Sequence, residues 1–223
     1  MDFWSSLEMV RARNDVLRHP FYERWSAGEL TQPELALYAG QYRHAVVALA
    51  GACANAAAAV DASEEPCLRA ELDAHALEES EHIGLWDSFC EAVGGNPGAS
   101  ASPETKRCSR VWAGDSTRPL VHSLLALYAI EAAQPGIARA KRAGLLAHYG
   151  LPEGPATAYF ELHEHRDVEH AAAAREVIEE RLNTARGGDG PSAREVRAML
   201  DEAERVLIAN WGLLDGVERL SSA

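Results

Sequence analysis

Residues 159–170 read Tyr-Phe-Glu-Leu-His-Glu-His-Arg-Asp-Val-Glu-His, placing His163, Asp167 and His170 at offsets of 0, 4 and 7. Those offsets share a face only if the chain is helical. At the α-helical advance they fall at about 0°, 40° and −20°, one narrow stripe of three metal-binding side chains. Residues 75–82, His-Ala-Leu-Glu-Glu-Ser-Glu-His, repeat the pattern with His75, Glu79 and His82, and Glu78 stands beside Glu79 as a second carboxylate. A strand would scatter these groups over two faces, whereas a bundle of helices can point both stripes at one place.

The flanking sequence agrees. Long stretches rich in Ala, Leu, Glu and Arg alternate with short Gly and Pro breakers, the pattern of helices separated by turns. The expected helices cover about Ser5–Arg18 and Phe21–Ala27, the latter closed by Gly28, and then a long one to about Asp61 from the capping box Thr31-Gln32-Pro33-Glu34. Ser63–Pro66 opens the next, ending at Gly94-Gly95; after a loop at 95–103 comes a short helix, about Glu104–Ala113. Pro119 starts a helix that runs to Gly150 with a kink at Pro135-Gly136, where a backbone donor is lost. Pro155 starts one that runs to about Asn183; TARGGDG at 184–190 breaks the chain, and Ser192 opens the last helix, to about Leu220. No strand, linker or repeat stands out, so the expectation is an all-α chain, 1–223 a single bundle of about seven helices.

The chain has 223 residues, 47% of them apolar and 25% charged, which suits a globular core and rules out disorder as the main state. Its net charge is −13. That excludes general nucleic-acid binding, which requires cations against phosphates, and disfavours anionic membrane surfaces. No apolar run is long enough for a membrane span, and the N-terminus lacks the basic start and apolar stretch of a signal peptide, so the expected location is the cytoplasm. The four cysteines, Cys53, Cys67, Cys90 and Cys108, form no C-x-x-C pair. They read as free thiols and small core residues.

Glu131 lies within an apolar run, Leu124–Ala133. A carboxylate there is expensive to bury unless it is paired or binds a cation. With the two stripes it gives two or three carboxylates and three or four imidazoles on three helices, and Glu79-x-x-His82 is the glutamate–histidine spacing with which bundles hold two metals. Such a donor set suits a two-iron, oxygen-activating centre better than a thiolate zinc site. Tyr42 and His44 read as core or pocket-lining residues, and Trp25, Trp86 and Trp211 as packing.

Four stretches carry a resemblance: His19-Pro20-Phe21-Tyr22-x2-Trp25-x2-Gly28-x-Leu30; His82-x2-Leu85-Trp86-x2-Phe89; Tyr128-Ala129-x-Glu131-x3-Pro135-x5-Lys141-x2-Gly144-Leu145; and Tyr159-Phe160-x-Leu162-His163-x3-Asp167-Val168-Glu169-His170. Over roughly residues 15–180 the chain resembles the heme-oxygenase-like di-metal oxidases, which sit beside the TenA and pyrroloquinoline quinone synthase proteins, and most of all the branch of the chlamydial death-domain-associating protein. The resemblance implies a seven-helix fold, two Fe(2+) per chain with Mn an alternative at one site, and O2 as co-substrate. It implies the ligands Glu79, His82, Glu131, His163, Asp167 and His170. His75 stands where some relatives carry the first glutamate, which makes it an additional candidate ligand.

Tyr22 and Lys141 occupy positions resembling those of the residues that p-aminobenzoate synthases of this family consume. The implied function is therefore a di-iron oxidase or oxygenase acting on a small amine- or amino-acid-derived molecule, with self-sacrificing p-aminobenzoate synthesis as its concrete form. A small-molecule substrate, an external electron donor and a homodimer are expected from the same resemblance. The rivals are a metal-independent TenA-like or pyrroloquinoline quinone synthase-like enzyme and a non-enzymatic regulatory or interaction protein.

Overall fold

A computed structural model describes residues 2–114, 118–184 and 190–222. Among them are α1 (Phe3–Arg13), a 3₁₀ turn (Val16–Arg18), α2 (Pro20–Ala27), α3 (Gln32–Ala58), α4 (Pro66–Ala92) and α5 (Pro103–Ala113). The chain continues through α6 (Leu120–Glu131), α7 (Gln134–His148), α8 (Ala158–His163), α9 (Arg166–Thr184) and α10 (Ala193–Ser221), with no strand among the described residues. The class is all-α, as expected.

Two long helices form the scaffold. Thr31 and Glu34 close a capping box at the start of α3, the Thr31 N–H donating to Glu34 Oε2 at 2.7 Å. α3 packs against α4 along the face that carries Ala39, Arg43 and Cys53, whose partners Trp86, Asp87 and His75 all lie on α4. Register is set by polar pins. Trp86 Nε1 donates to the Ala39 carbonyl at 2.9 Å, and Arg43 forks onto both Asp87 oxygens at 2.5 and 2.9 Å. These contacts fix the rotation of α4 and so where its stripe points. α6 is buried along Ser123–Glu131 and packs against α3, α9 and α10, as a helix that is apolar all round must. Gly28, at φ 74°, closes α2, and Gly144 on α7 lies so close to Trp25 that a Cβ would come within 2.6 Å of the indole.

The expected segmentation is corrected at several points. The helix expected over Pro119–Gly150 is not kinked but divided, α6 ending at Glu131 and α7 starting at Gln134. Pro135 has no N–H for the carbonyl of residue 131, and its ring crowds that carbonyl, so the break falls immediately after Glu131. Arg11 Nη2 donates to the freed Ala132 carbonyl at 2.6 Å and caps the break. The helix expected from Pro155 begins at Ala158 and is itself divided at Glu164-His165, where His165 N–H bonds back three residues to Leu162 at 3.1 Å. His163 Nδ1 lies 2.6 Å from the Tyr159 carbonyl, four residues back, where a side-chain donor competes with the helix ladder. The first helix stops at Arg13 and resumes as the 3₁₀ turn. These divisions are why more than seven helices are present. The breaker at 184–190 lies largely outside the described residues. No described helix is long and apolar enough to cross a membrane.

Candidate metal centre

The donors come from four helices rather than three, because the stripe read from residues 163–170 spans the α8–α9 break. α4 presents His75, Glu79 and His82 as one continuous helical stripe. α6 contributes Glu131 as its last residue, α8 contributes His163 as its last, and α9 contributes Asp167 and His170 from its first two turns. Short helices that end at the site aim these groups inward where one long rod would carry them past it.

Glu79 is central. Its Oε1 lies 3.0 Å from His82 Nδ1 and 3.8 Å from His170 Nδ1, and its Oε2 lies 4.0 Å from His163 Nε2. It belongs to two groups whose donor atoms all fall within 4.8 Å of one another: Glu79, His82, His163 and His75, Glu79, His170. On the far side His75 Nε2 is 3.0 Å from Glu131 Oε1, and the His75 and His170 rings stand 3.9 Å apart. Asp167 Oδ1 is 3.7 Å from His170 Nδ1. The structure thus brings Glu79, His82, Glu131, His163, Asp167, His170 and His75 into one cluster. Glu78 is turned away, held by Arg166 through Nε–Oε1 at 2.5 Å and Nη2–Oε2 at 2.8 Å, with Oε2 3.4 Å from His170 Nε2.

Glu79, Glu131, His163 and Asp167 have no exposed surface. Even so, Glu79 Oε2, Glu131 Oε2, both Asp167 oxygens, His163 Nε2 and both His170 nitrogens find no hydrogen-bond partner among the described residues. Buried polar atoms are normally paired, and leaving this many unpaired in one cavity would be heavily destabilising. Lone pairs directed at a common volume are what a cation needs, so the donor set fits a resident metal. The electrostatics carry the same strain. Burial, reinforced by Glu131 and Glu79, drives the Asp167 carboxyl well above the usual carboxylate range. Burial also acts to raise Glu79, but the imidazoles of His163 and His82 outweigh it and hold that group far below the usual range. Burial acts to lower His75 and His163, and the carboxylates facing them, Glu131 and Glu79 respectively, reverse this. His170 is lowered by burial and by His75.

Beside the cluster lies an aromatic chamber. Lys141, on α7, is fully buried, and its Nζ stands 4.4 Å from the centroid of the Tyr42 ring, 5.1 Å from Tyr22 and 5.4 Å from Tyr38. Burial pushes its ammonium well below the ordinary lysine range. Tyr22 Oη is 2.8 Å from Tyr38 Oη. Rings run on without a gap: Tyr38 to Tyr42 at 5.2 Å, Tyr42 to Trp86 at 5.1 Å, Trp86 to Tyr159 at 4.9 Å and Tyr159 stacked on His163 at 4.0 Å. Tyr22 and Lys141 therefore share one aromatic cluster, joined by packed rings to His163. Tyr42 belongs to the chamber, while His44 is structural, with its Nε2 2.8 Å from the Ala99 carbonyl.

Sequence reading missed Tyr38, and it took Tyr159 only as part of the resemblance. Tyr38 and Tyr42 are one helical turn apart on α3, and Tyr159 precedes His163 by one turn, so spacing alone could have placed both near their neighbours. It also missed Arg166, whose role depends on a contact between α4 and α9 that no local pattern announces.

Fold and site together define a class: helical proteins with a buried carboxylate–imidazole centre. Residues 36–203 match the family of iron-containing redox enzymes, and the chain belongs to that family. It is 32% identical over 190 residues to the 4-aminobenzoate synthase of Chlamydia muridarum, covering 80% of this chain and 78% of the relative. It is 30% identical over 226 residues to the 4-aminobenzoate synthase of Chlamydia trachomatis, covering 96% and 91%. Among solved structures, a domain of unknown function with a heme oxygenase-like fold from Shewanella denitrificans superposes with a TM-score of 0.75 at 18% identity, covering 100% of this chain and 94% of that one. The heme oxygenase-like fold follows.

Proposed function

We propose that the protein is a di-iron oxidase that makes 4-aminobenzoate from its own side chains, Tyr22 giving the ring and Lys141 the amino nitrogen. One observation carries this reading: two residues far apart in sequence, a phenol and an amine, are enclosed in one chamber with Lys141 Nζ 5.1 Å from the Tyr22 ring centroid. The relatives named 4-aminobenzoate synthase support it.

Glu79, His82 and His163 would hold one ion, and His75, Glu131 and His170 the other. Glu79 would be shared between them and Asp167 would complete the set. A bound iron pair supplies the redox chemistry that reduces O2. The chain's residues do the rest. The chamber excludes water from both reacting side chains. Desolvation favours the unprotonated form of the Lys141 amine, the form with a free lone pair. Tyr38 fixes the Tyr22 hydroxyl through their 2.8 Å hydrogen bond, and burial keeps that phenol protonated at neutral pH. The metal-independent alternative built on a pocket cysteine finds no support in thiol activation, since burial raises Cys53, Cys90 and Cys108.

The test is isotopic. Protein grown with ¹⁵N-lysine and ring-¹³C-tyrosine, loaded anaerobically with Fe(II) and mixed with O2 and a reductant, should release 4-aminobenzoate carrying both labels. The chain should lose mass at residue 22, and Tyr22→Phe should release none. Unlabelled product, or an intact Tyr22 after product release, defeats the proposal.

A further inference from the structure

We propose that Cys53 is a metal ligand: with His75 and Glu131 it forms a sulfur–nitrogen–oxygen donor set for one divalent cation of borderline softness, the class of Fe2+, Co2+ and Zn2+. Cys53 projects from α3 toward α4, and its Sγ lies 3.7 Å from His75 Nε2. That same nitrogen is 3.0 Å from Glu131 Oε1, and the three donor atoms all lie within 4.8 Å of one another. An ion with bonds of about 2.0–2.3 Å to N, O and S sets neighbouring ligands roughly 3–4 Å apart, which matches the Sγ–Nε2 and Nε2–Oε1 separations. Glu131 is the independent witness to a ligand here. It is fully buried, and its Oε2 has no hydrogen-bond partner among the described residues. Cys67, Cys90 and Cys108 join no such donor group among the described residues.

The assignment rests on the carboxylate–imidazole centre proposed above and changes its chemistry. Binding breaks the S–H bond and forms an S–metal bond. The proton leaves to solvent and the metal stays divalent. A thiolate is a softer donor than the carboxylate and imidazoles of Glu79, His82 and His163, so the two positions become unlike. The sulfur position favours Fe2+ over Mn2+, and the all-N/O position tolerates either.

Anaerobic titration of the metal-free full chain with Co2+ tests this. Wild type should develop a thiolate-to-cobalt charge-transfer band in the near ultraviolet, and Cys67→Ser should keep it. Cys53→Ser should lose the band and bind one of its Co2+ equivalents about tenfold or more weakly. X-ray absorption on cobalt-loaded wild type, which needs no variant, should find a sulfur neighbour at about 2.3 Å. Bound Co2+ without a thiolate band or a sulfur neighbour overturns the Cys53 assignment and leaves the carboxylate–imidazole centre standing. Failure of wild type to bind Co2+ at all overturns both.

Discussion

Glu78 shows how much a single side chain can do without touching a metal. It is clamped by Arg166, and its oxygens lie 3.4 Å from His170 Nε2 and 3.9 Å from His82 Nε2, the ring atoms turned away from Glu79. In the proposed centre, a carboxylate this close to the outer ring atoms would raise the basicity of His170 and His82 through its charge. Glu78→Gln should weaken divalent-metal affinity about 10–100-fold, and Arg166→Ala should do the same through Glu78. A chelator-competition titration measures this, with Arg166→Lys expected to restore only part of it, because lysine cannot fork. Lys141 makes a second residue-scale prediction. Its pKa is depressed in the fold, so the unfolded chain binds more protons between that value and the ordinary one, and stability rises with pH across the window. Lys141→Met should therefore unfold at higher denaturant by about 1–3 kcal/mol near neutrality, with the advantage shrinking as pH approaches the usual lysine range. Legibility at this scale followed residue type. The histidines and carboxylates announced themselves by spacing. Whether His75, Glu78 or Glu79 faces the cluster could not be read, because that depends on the rotation of α4, which the Trp86 and Arg43 contacts set.

Among the elements, the α6–α7 break matters most. Pro135 was visible in the sequence as a disturbance, and its position one turn after Glu131 was visible too. What spacing could not show was that the helix ends outright, since that requires Arg11, 121 residues away, to satisfy the Ala132 carbonyl. Pro135→Ala should let α6 run on into α7, pull Glu131 out of line and lower metal affinity by about tenfold, with a small gain in far-ultraviolet helical signal. Arg11→Ala should destabilise the fold by about 1–2 kcal/mol in urea unfolding through the lost charged hydrogen bond. The α8–α9 break was not legible. No proline or glycine marks Glu164-His165, and the His163 contact with the Tyr159 carbonyl is a tertiary choice. The residues named by the straight-helix stripe still lie close together, because the groups on both sides of the break turn toward Glu79.

At the scale of the molecule, the centre and the core compete. Three fully buried acids, Glu79, Glu131 and Asp167, sit inside a chain that already carries net charge −13. Metal-free protein holds those acids with only the neighbouring imidazoles to offset them, so a ligand that binds only the folded state has a large lever. At free metal a hundred times Kd each site should contribute about 2.7 kcal/mol, raising Tm by roughly 5–10 °C per site. Calorimetry of chelated and reloaded protein checks this, and Asp167→Asn should shrink the response. The all-helical plan was legible because periodicity and breakers are local. How three helix ends meet against the middle of α4 was not, because that is decided by packing. Tyr22 adds a last consequence. Its ring fills a niche against Phe21, Trp25 and Tyr38, and emptying such a niche typically costs about 3–5 kcal/mol. A molecule that surrendered this ring would be hollowed at its centre and readily cleared by proteases, a disposable cartridge whose output is set by ribosomes rather than by turnover.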